Sequence, residues 1–207
     1  NNGETSTSFV SFVADVATIG EPPLYEAFFK RWEKQLDAVD AKTRPAKVNG
    51  RMVIGLGDES VIETAITLHH TYGVPMIPGS ALKGLAAHYA RNYLDESLWG
   101  INSDAYRILF GDTTSASYLT FYDALYIAGS GFKGKPLYAD VITVHHRNYY
   151  QQHKDVPPPA DWDSPTIIPF LSATGSYLVA LGGDDHWVNA TFTILGWALA
   201  QLGIGAK

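Results

Sequence analysis

From Leu24 to about Ala41, apolar side chains return every three or four residues, at Leu24, Phe28, Trp32, Leu36 and Val39, with charges between them. That period predicts an amphipathic helix. Residues 42–50 are basic and punctuated by Pro45 and Gly50, so they read as a loop. Met52-Val53-Ile54 reads as a strand entering a turn at Gly55-Leu56-Gly57-Asp58. The alternation from Val61 to Leu68 predicts a second strand, ended by Gly73 and Pro75. Ser80 then stands as an N-cap before an apolar face of Leu82, Leu85, Ala86, Tyr89 and Tyr93, predicting a helix to roughly Leu94.

Further strands are predicted over Tyr118–Ile127 and Leu137–Val144, with a glycine- and lysine-containing turn at 129–134 between them. Residues 151–166, centred on Pro157-Pro158-Pro159, form a loop. Thr166–Ala173 and Ser176–Leu181 predict a hairpin across Thr174-Gly175. The last helix starts near Asp185 or His186 and ends at Leu202, with Gly203 as its stop. The order is strand, helix, two or more strands, helix, glycine loop. It predicts an α+β fold of ferredoxin-like (RRM-like) type, with insertions and an N-terminal helix, whose last strand would follow Lys207. Residues 1–50 read as an N-terminal extension whose helix packs on the core, and residues 51–207 as the main domain. The chain starts at Asn1 rather than Met and stops within a glycine-rich motif, and it reads as part of a longer product.

Composition narrows the function classes. With 207 residues, 46% hydrophobic and 17% charged, the chain can bury a sizeable core. Fifteen Lys and Arg against 21 Asp and Glu give a net charge of −6. That argues against a uniformly basic nucleic-acid surface but permits a local basic strip. The absence of cysteine excludes disulfides, zinc–thiolate sites and cysteine nucleophiles. No run of 18 apolar residues and no signal-peptide pattern is present, so a cytoplasmic setting is expected.

Candidate chemistry clusters in three places. Gly79-Ser80 opens a helix, where unpaired N–H groups suit an anion. Lys83 sits in the first turn, where the helix dipole disfavours a cation by about 0.3–1 kcal/mol, and a bound phosphate would remove that penalty. The plain alternative is a capping serine and a solvated lysine. Gly203 serves as a helix stop, whereas Gly205 beside Lys207 suits close backbone approach to a charged ligand. Between Gly131 and Lys154, Lys133, Lys135, Arg147 and Lys154 stand with His145, His146 and His153, interleaved with Tyr138, Tyr149 and Tyr150. Cations with aromatics suit a single-stranded RNA path, and a solvated hairpin with two core tyrosines is the competing account.

The pairs His69-His70 and His145-His146 lie on or near strands, where neighbours point to opposite faces and cannot share one metal. No metal and no cofactor are expected. A metal-independent ribonuclease with His145, His146 or His69 as acid–base group is the rival class. Asp58, Glu59 and Glu63 fit turn chemistry rather than a calcium loop. Phe29 falls off the predicted helix face and is a candidate protein contact.

Four segments, in order, resemble the RAMP superfamily of CRISPR proteins, and within it the single-copy head-end RAMP subunit of the type III-B (Cmr) effector complex. The first runs from Val53-Ile54-Gly55-Leu56-Gly57 through Ile77-Pro78-Gly79-Ser80-Ala81-Leu82-Lys83-Gly84. The second is Phe110-Gly111-Asp112 followed by Leu119-Thr120-Phe121-Tyr122-Asp123-Ala124. The third is Asp140-Val141-Ile142-Thr143-Val144-His145-His146, with Tyr149-Tyr150 behind it. The fourth, Leu202-Gly203-Ile204-Gly205-Ala206-Lys207, looks like the front half of the family's C-terminal glycine-rich loop. The resemblance implies an RRM-like fold and a non-catalytic subunit of an antiviral ribonuclease complex. It also implies contact with CRISPR guide RNA near its 3′ end, with target RNA, with neighbouring RAMP subunits and with the complex's small helical subunit. The RNA-binding residues it implies together with the local chemistry are Gly79, Ser80, Lys83, Lys133, Lys135, His145, His146, Arg147, Gly203, Gly205 and Lys207. The first 50 residues match no part of the family.

Overall fold

A computed structural model describes residues 8, 11–13, 15–16, 22–56, 65–144 and 166–205. Helix α1 spans Tyr25–Ala38. Of the predicted face, Leu36 is buried and Phe28 and Trp32 pack against the core, and Tyr25 and Phe29 widen that face on one side. Tyr25, Phe29 and Leu36 are buried, whereas Leu24 and Val39 are exposed. Phe29 therefore belongs to the core and is not the expected protein contact. Both series carry large apolar side chains at helical spacing, and the core takes in part of each. The Tyr25 hydroxyl donates to the Tyr126 carbonyl at 2.6 Å, which turns that side of the helix inward.

Strand β1, Lys42–Lys47, replaces the predicted basic loop. After it come β2 (Met76–Ile77), α2 (Gly79–Tyr93), α3 (Glu96–Trp99), α4 (Asp104–Phe110), β3 (Thr120–Phe121) and β4 (Ala124–Tyr126). A 3₁₀ turn at Phe132–Gly134 leads to β5 (Leu137–Val144), β6 (Thr166–Ala173), β7 (Ser176–Gly182) and α5 (Asp185–Gln201). The main sheet has the order β1-β7-β4-β2, with β3 also on β7, and its pairings are antiparallel. In β1, Lys42 faces Leu181 and Lys47 faces Ser176. The Val48 N–H donates to the Gly175 carbonyl at 2.9 Å. By alternation, Pro45 then turns its missing donor to the outer edge, where a proline loses no ladder bond. The predicted extension thus contributes an edge strand to the same sheet as the main domain.

The strand predicted over Tyr118–Ile127 is interrupted. Phe121 faces Leu181 and Leu125 faces Leu178, so four steps here oppose three on β7. That is a one-residue bulge at Tyr122-Asp123, which re-aims the Asp123 side chain.

The expected β6–β7 hairpin does not form. β6 pairs with β5 in a separate two-stranded sheet, Leu137 opposite Ala173 through Val144 opposite Thr166, and β7 is central in the main sheet. Thr174-Gly175 is a corner between the two sheets. The groups a hairpin would use are engaged elsewhere. Thr174 N–H donates to the Pro136 carbonyl at 3.0 Å, Ser176 N–H donates to Ser130 Oγ at 2.9 Å, and Ala173 and Met52 exchange bonds of 2.7 and 2.9 Å. Gly175 has φ +96°, and a Cβ there would crowd the Tyr126 ring.

Met52 makes a single bridge, to Ala173, rather than a strand, and Leu68 bridges Pro75 around a turn containing Gly73. The first four residues of the Val61–Leu68 prediction lie outside the described residues. Helices α3 and α4 carry their own caps, Asp95 on the Ser97 N–H and Ser103 on the Tyr106 N–H. One face of the main sheet meets α1, through Leu36 and Ala41 against Ala180. The other meets α2 and α5, whose Leu82 and Leu199 line one cavity with Tyr177 and Val179. Among the described residues, no helix is long and apolar enough to cross a membrane.

Candidate nucleic-acid interface

Helix α2 begins at Gly79, so its N-cap falls two residues before the predicted cap at Ser80. Its N-cap is Pro78, which supplies no side-chain bond, and Ser80 is the second helical residue and exposed. The cap comes from the bulge instead. Asp123 Oδ1 accepts the Gly79 N–H at 2.8 Å, placing a carboxylate at the positive end of the helix. Gly79 is buried, and a Cβ on it would collide with the Phe121 carbonyl. Part of the predicted anion seat is thus occupied by the chain's own acid, leaving Ser80 and Lys83 on its outer side. Lys83 is half-buried and, among the described residues, forms no ion pair.

The chain turns sharply after α5. Gly203 has φ +74° and Gly205 φ +84°, in the left-handed region that favours glycine. A Cβ on Gly205 would strike the Val53 carbonyl, so the turn rests directly on the 53–56 segment. Residues 202–205, that segment, and Ala81, Leu85 and His88 of α2 line one open groove of about 600 Å³. The tertiary structure therefore brings the glycine turn beside Ala81, Leu85 and His88 of α2, more than a hundred residues away in sequence, while Gly79, Ser80 and Lys83 do not line that groove.

A second cavity of about 230 Å³ shares Gly203 and Ile204 with that groove and is rimmed by Lys47, Asn49 and Arg51. Lys47 comes from the basic segment read as a loop and Arg51 directly follows it, and neither was among the predicted site residues. The signal was present as a run of four cations between Lys42 and Arg51. What hid it was the strand. Lys42 is drawn to Asp185 at 3.3 Å, and Arg44 lies 4.5 Å over the Phe192 ring, while Lys47 forms no ion pair among the described residues.

Arg51 leads to the third cluster. Its guanidinium donates to the Ala139 carbonyl at 3.1 Å and to Ser172 Oγ at 3.0 Å, and sits 3.7 Å from Asp140. It also lies 4.8 Å over the Tyr138 ring. Tyr138 is 5.8 Å from Phe132, whose ring is 5.4 Å from Lys133 Nζ. Lys135 is half-buried, and its carbonyl accepts from Thr174 Oγ1 at 3.0 Å. The path thus runs from α2, over the glycine turn and Arg51, to Lys133. His145, His146, Arg147 and Lys207 lie outside the described residues.

Of the three acid–base candidates, only His69 lies among the described residues. His69 is packed against Phe28 and Tyr72 at 5.0 and 5.2 Å, and its Nδ1 accepts the Thr71 N–H. Burial, with Tyr126 and Tyr25 beside it, raises the Tyr177 hydroxyl above its ordinary range, so that it stays neutral. Among the described residues, no three His, Asp or Glu side chains gather as a metal site.

A family model described as the RAMP superfamily matches residues 46–207. CRISPR system Cmr subunit Cmr6 of Pyrococcus furiosus is 32% identical over 238 aligned residues, covering 89% of this chain and 70% of that protein. The crystal structure of Cmr6 from Pyrococcus furiosus aligns with TM-score 0.50 and 31% identity, over 81% of this chain and 93% of that one. A chain of the type III-B Cmr-beta complex bound to cognate target RNA, seen by cryo-electron microscopy, aligns with TM-score 0.72 over 99% of this chain and 69% of that one. At 16% identity, that likeness is one of fold.

Proposed function

The chain belongs to the RAMP superfamily and, within it, to the family of the Cmr6 subunit, and from that premise we propose that it is a non-catalytic RNA-binding and assembly subunit of a type III-B CRISPR effector complex. It binds guide RNA toward its 3′ end and lies beside other RAMP subunits and the small helical subunit. The observation that carries this reading is the continuous path just described. One groove places the glycine turn beside Ala81, Leu85 and His88 of α2, and Arg51, in the adjoining cavity, leads on to the aromatic and basic turn at 132–135. Backbone exposed at glycines admits close phosphate approach, Lys47 and Lys133 supply charge along the path, and Lys83 supplies it separately at the helix start. A narrow strip of cations is compatible with the net charge of −6, because neighbouring subunits complete the groove. The finer fold reading is a ferredoxin-like domain over residues 51–207, supported by the antiparallel sheet carrying α2 and α5 on one face.

The test is to incubate the purified chain with labelled repeat-derived RNA in the absence of metal, and to read both retention and cleavage. Retention without cleavage is expected, weakening steeply with salt. Lys83→Ala should lower the slope of log affinity against log salt by about one, and an unchanged slope would remove Lys83 from the site. Specific cleavage abolished by His145→Ala would overturn the non-catalytic reading in favour of a transcript-processing ribonuclease. Retention only within the multi-subunit complex is the result expected of a shared groove.

A further inference from the structure

We propose that Phe132 is a nucleobase-stacking residue, with Lys133 beside it as a phosphate partner; this rests on the RNA-binding reading above. Phe132 is 61% exposed, which for a rigidly held phenylalanine calls for a reason. The turn that carries it is fixed from several sides. Gly131 N–H donates to the Tyr126 hydroxyl at 2.7 Å, and Phe132 N–H donates to Thr174 Oγ1 at 3.1 Å. The Phe132 carbonyl accepts from the Tyr138 hydroxyl and from Lys135 N–H. A Cβ on Gly131 would collide with the Lys135 carbonyl, and Lys133 itself is held at φ +51°. A non-glycine residue in that region is uncommon, and such strain gathers at functional positions.

The surroundings distinguish this ring from other exposed aromatics. Tyr93 is stacked on its own neighbour Tyr89 at 5.1 Å. Tyr118 borders a cavity that also contains Asp104. Phe132 stands in a row of Lys133, Phe132, Tyr138 and Arg51, two rings between two cations. The carboxylate found in the row, Asp140, lies against Arg51 at 3.7 Å. A protein-binding hot spot is depleted of lysine around its apolar centre. A single strand of nucleic acid calls for a flat ring for the base and a cation nearby for the phosphate, and Lys133 is that cation. The row favours RNA over a protein partner.

The probe is a short single-stranded RNA carrying 5-iodouridine, which on irradiation joins preferentially to an aromatic ring it stacks on. With the full chain, the crosslink is expected at Phe132 by peptide mapping. Phe132→Leu should lose that crosslink and weaken binding about tenfold, in line with the cost of removing one base–aromatic stack, with its salt slope unchanged. Phe132→Tyr should keep both affinity and crosslink, which separates stacking from any loss of folding. Lys133→Ala should lower the salt slope while keeping the crosslink. Wild-type affinity and crosslinking in Phe132→Leu would overturn this proposal and leave the RNA-binding reading standing. Unchanged RNA affinity with loss of co-purifying subunits would overturn it in favour of a protein contact. A wild-type chain that binds RNA neither alone nor in its complex overturns both.

Discussion

The main sheet and the β5–β6 ribbon are made from similar residues and meet opposite fates. In β7, Tyr177, Leu178, Val179, Ala180 and Leu181 are all buried, because α1 covers one face of the strand and α2 with α5 the other. In the ribbon, Val141 and Ile167 are 53% and 55% exposed, because no layer of the chain's described residues lies over that end. Equal strand propensity therefore says little about burial. What differs is whether helices reach the strand. An isolated two-stranded ribbon is marginal in water, and this one is anchored at its base, where Ala173 bonds to Met52 and Arg51 ties Ala139 to Ser172. The sheet supplies the rigid floor, and the ribbon base supplies the contacts along the candidate RNA path.

The comparison can be broken at its strongest point first. Leu181→Ala in the sheet should cost about 3 kcal/mol of unfolding free energy in a urea titration, whereas Ile167→Ala in the ribbon should stay within about 0.5 kcal/mol. Equal losses would erase the distinction. Gly79→Ala, at the junction of sheet and α2, drives a Cβ into the Phe121 backbone and should cost about 2–3 kcal/mol by thermal or chemical melting. A neutral result would mean that the bulge is free to shift. Asp123→Ala removes the carboxylate from the α2 start and should destabilise by about 1 kcal/mol, while strengthening RNA binding, since a phosphate no longer competes with it. Parallel changes in stability and affinity would put Asp123 outside the interface. The smallest effect is local: Arg51→Ala should speed amide exchange in β5 and β6 with little change in β7.

Several features were legible in the sequence because they rest on local physics. The helix over Gly79–Tyr93, the strand Leu137–Val144 and the Gly203 stop follow from period, alternation and the left-handed tolerance of glycine. The ordered motifs identified the superfamily. Other features were invisible for reasons equally physical. Pro45 signals a loop unless it faces the outer edge of a sheet, and only the pairing with β7 determines that. Thr174-Gly175 has the spacing of a hairpin, yet the Tyr126 ring and Ser130 fill the corner and send β7 to another sheet. The full width of the buried face of α1 was decided only where Tyr25 met Tyr126.

The same division runs through the candidate site. The chain by itself determined which residues could serve, because the glycines, the lysines beside aromatics and the helix start are chemical properties of short segments. Only the tertiary structure decided which of them share a surface. It placed Gly203 and Gly205 against α2 and inserted Arg51 between the cavity and Tyr138. It also committed the Gly79 amide to Asp123 through a one-residue bulge. Contacts across a hundred residues depend on how layers pack, and packing is a property of the whole core rather than of any segment.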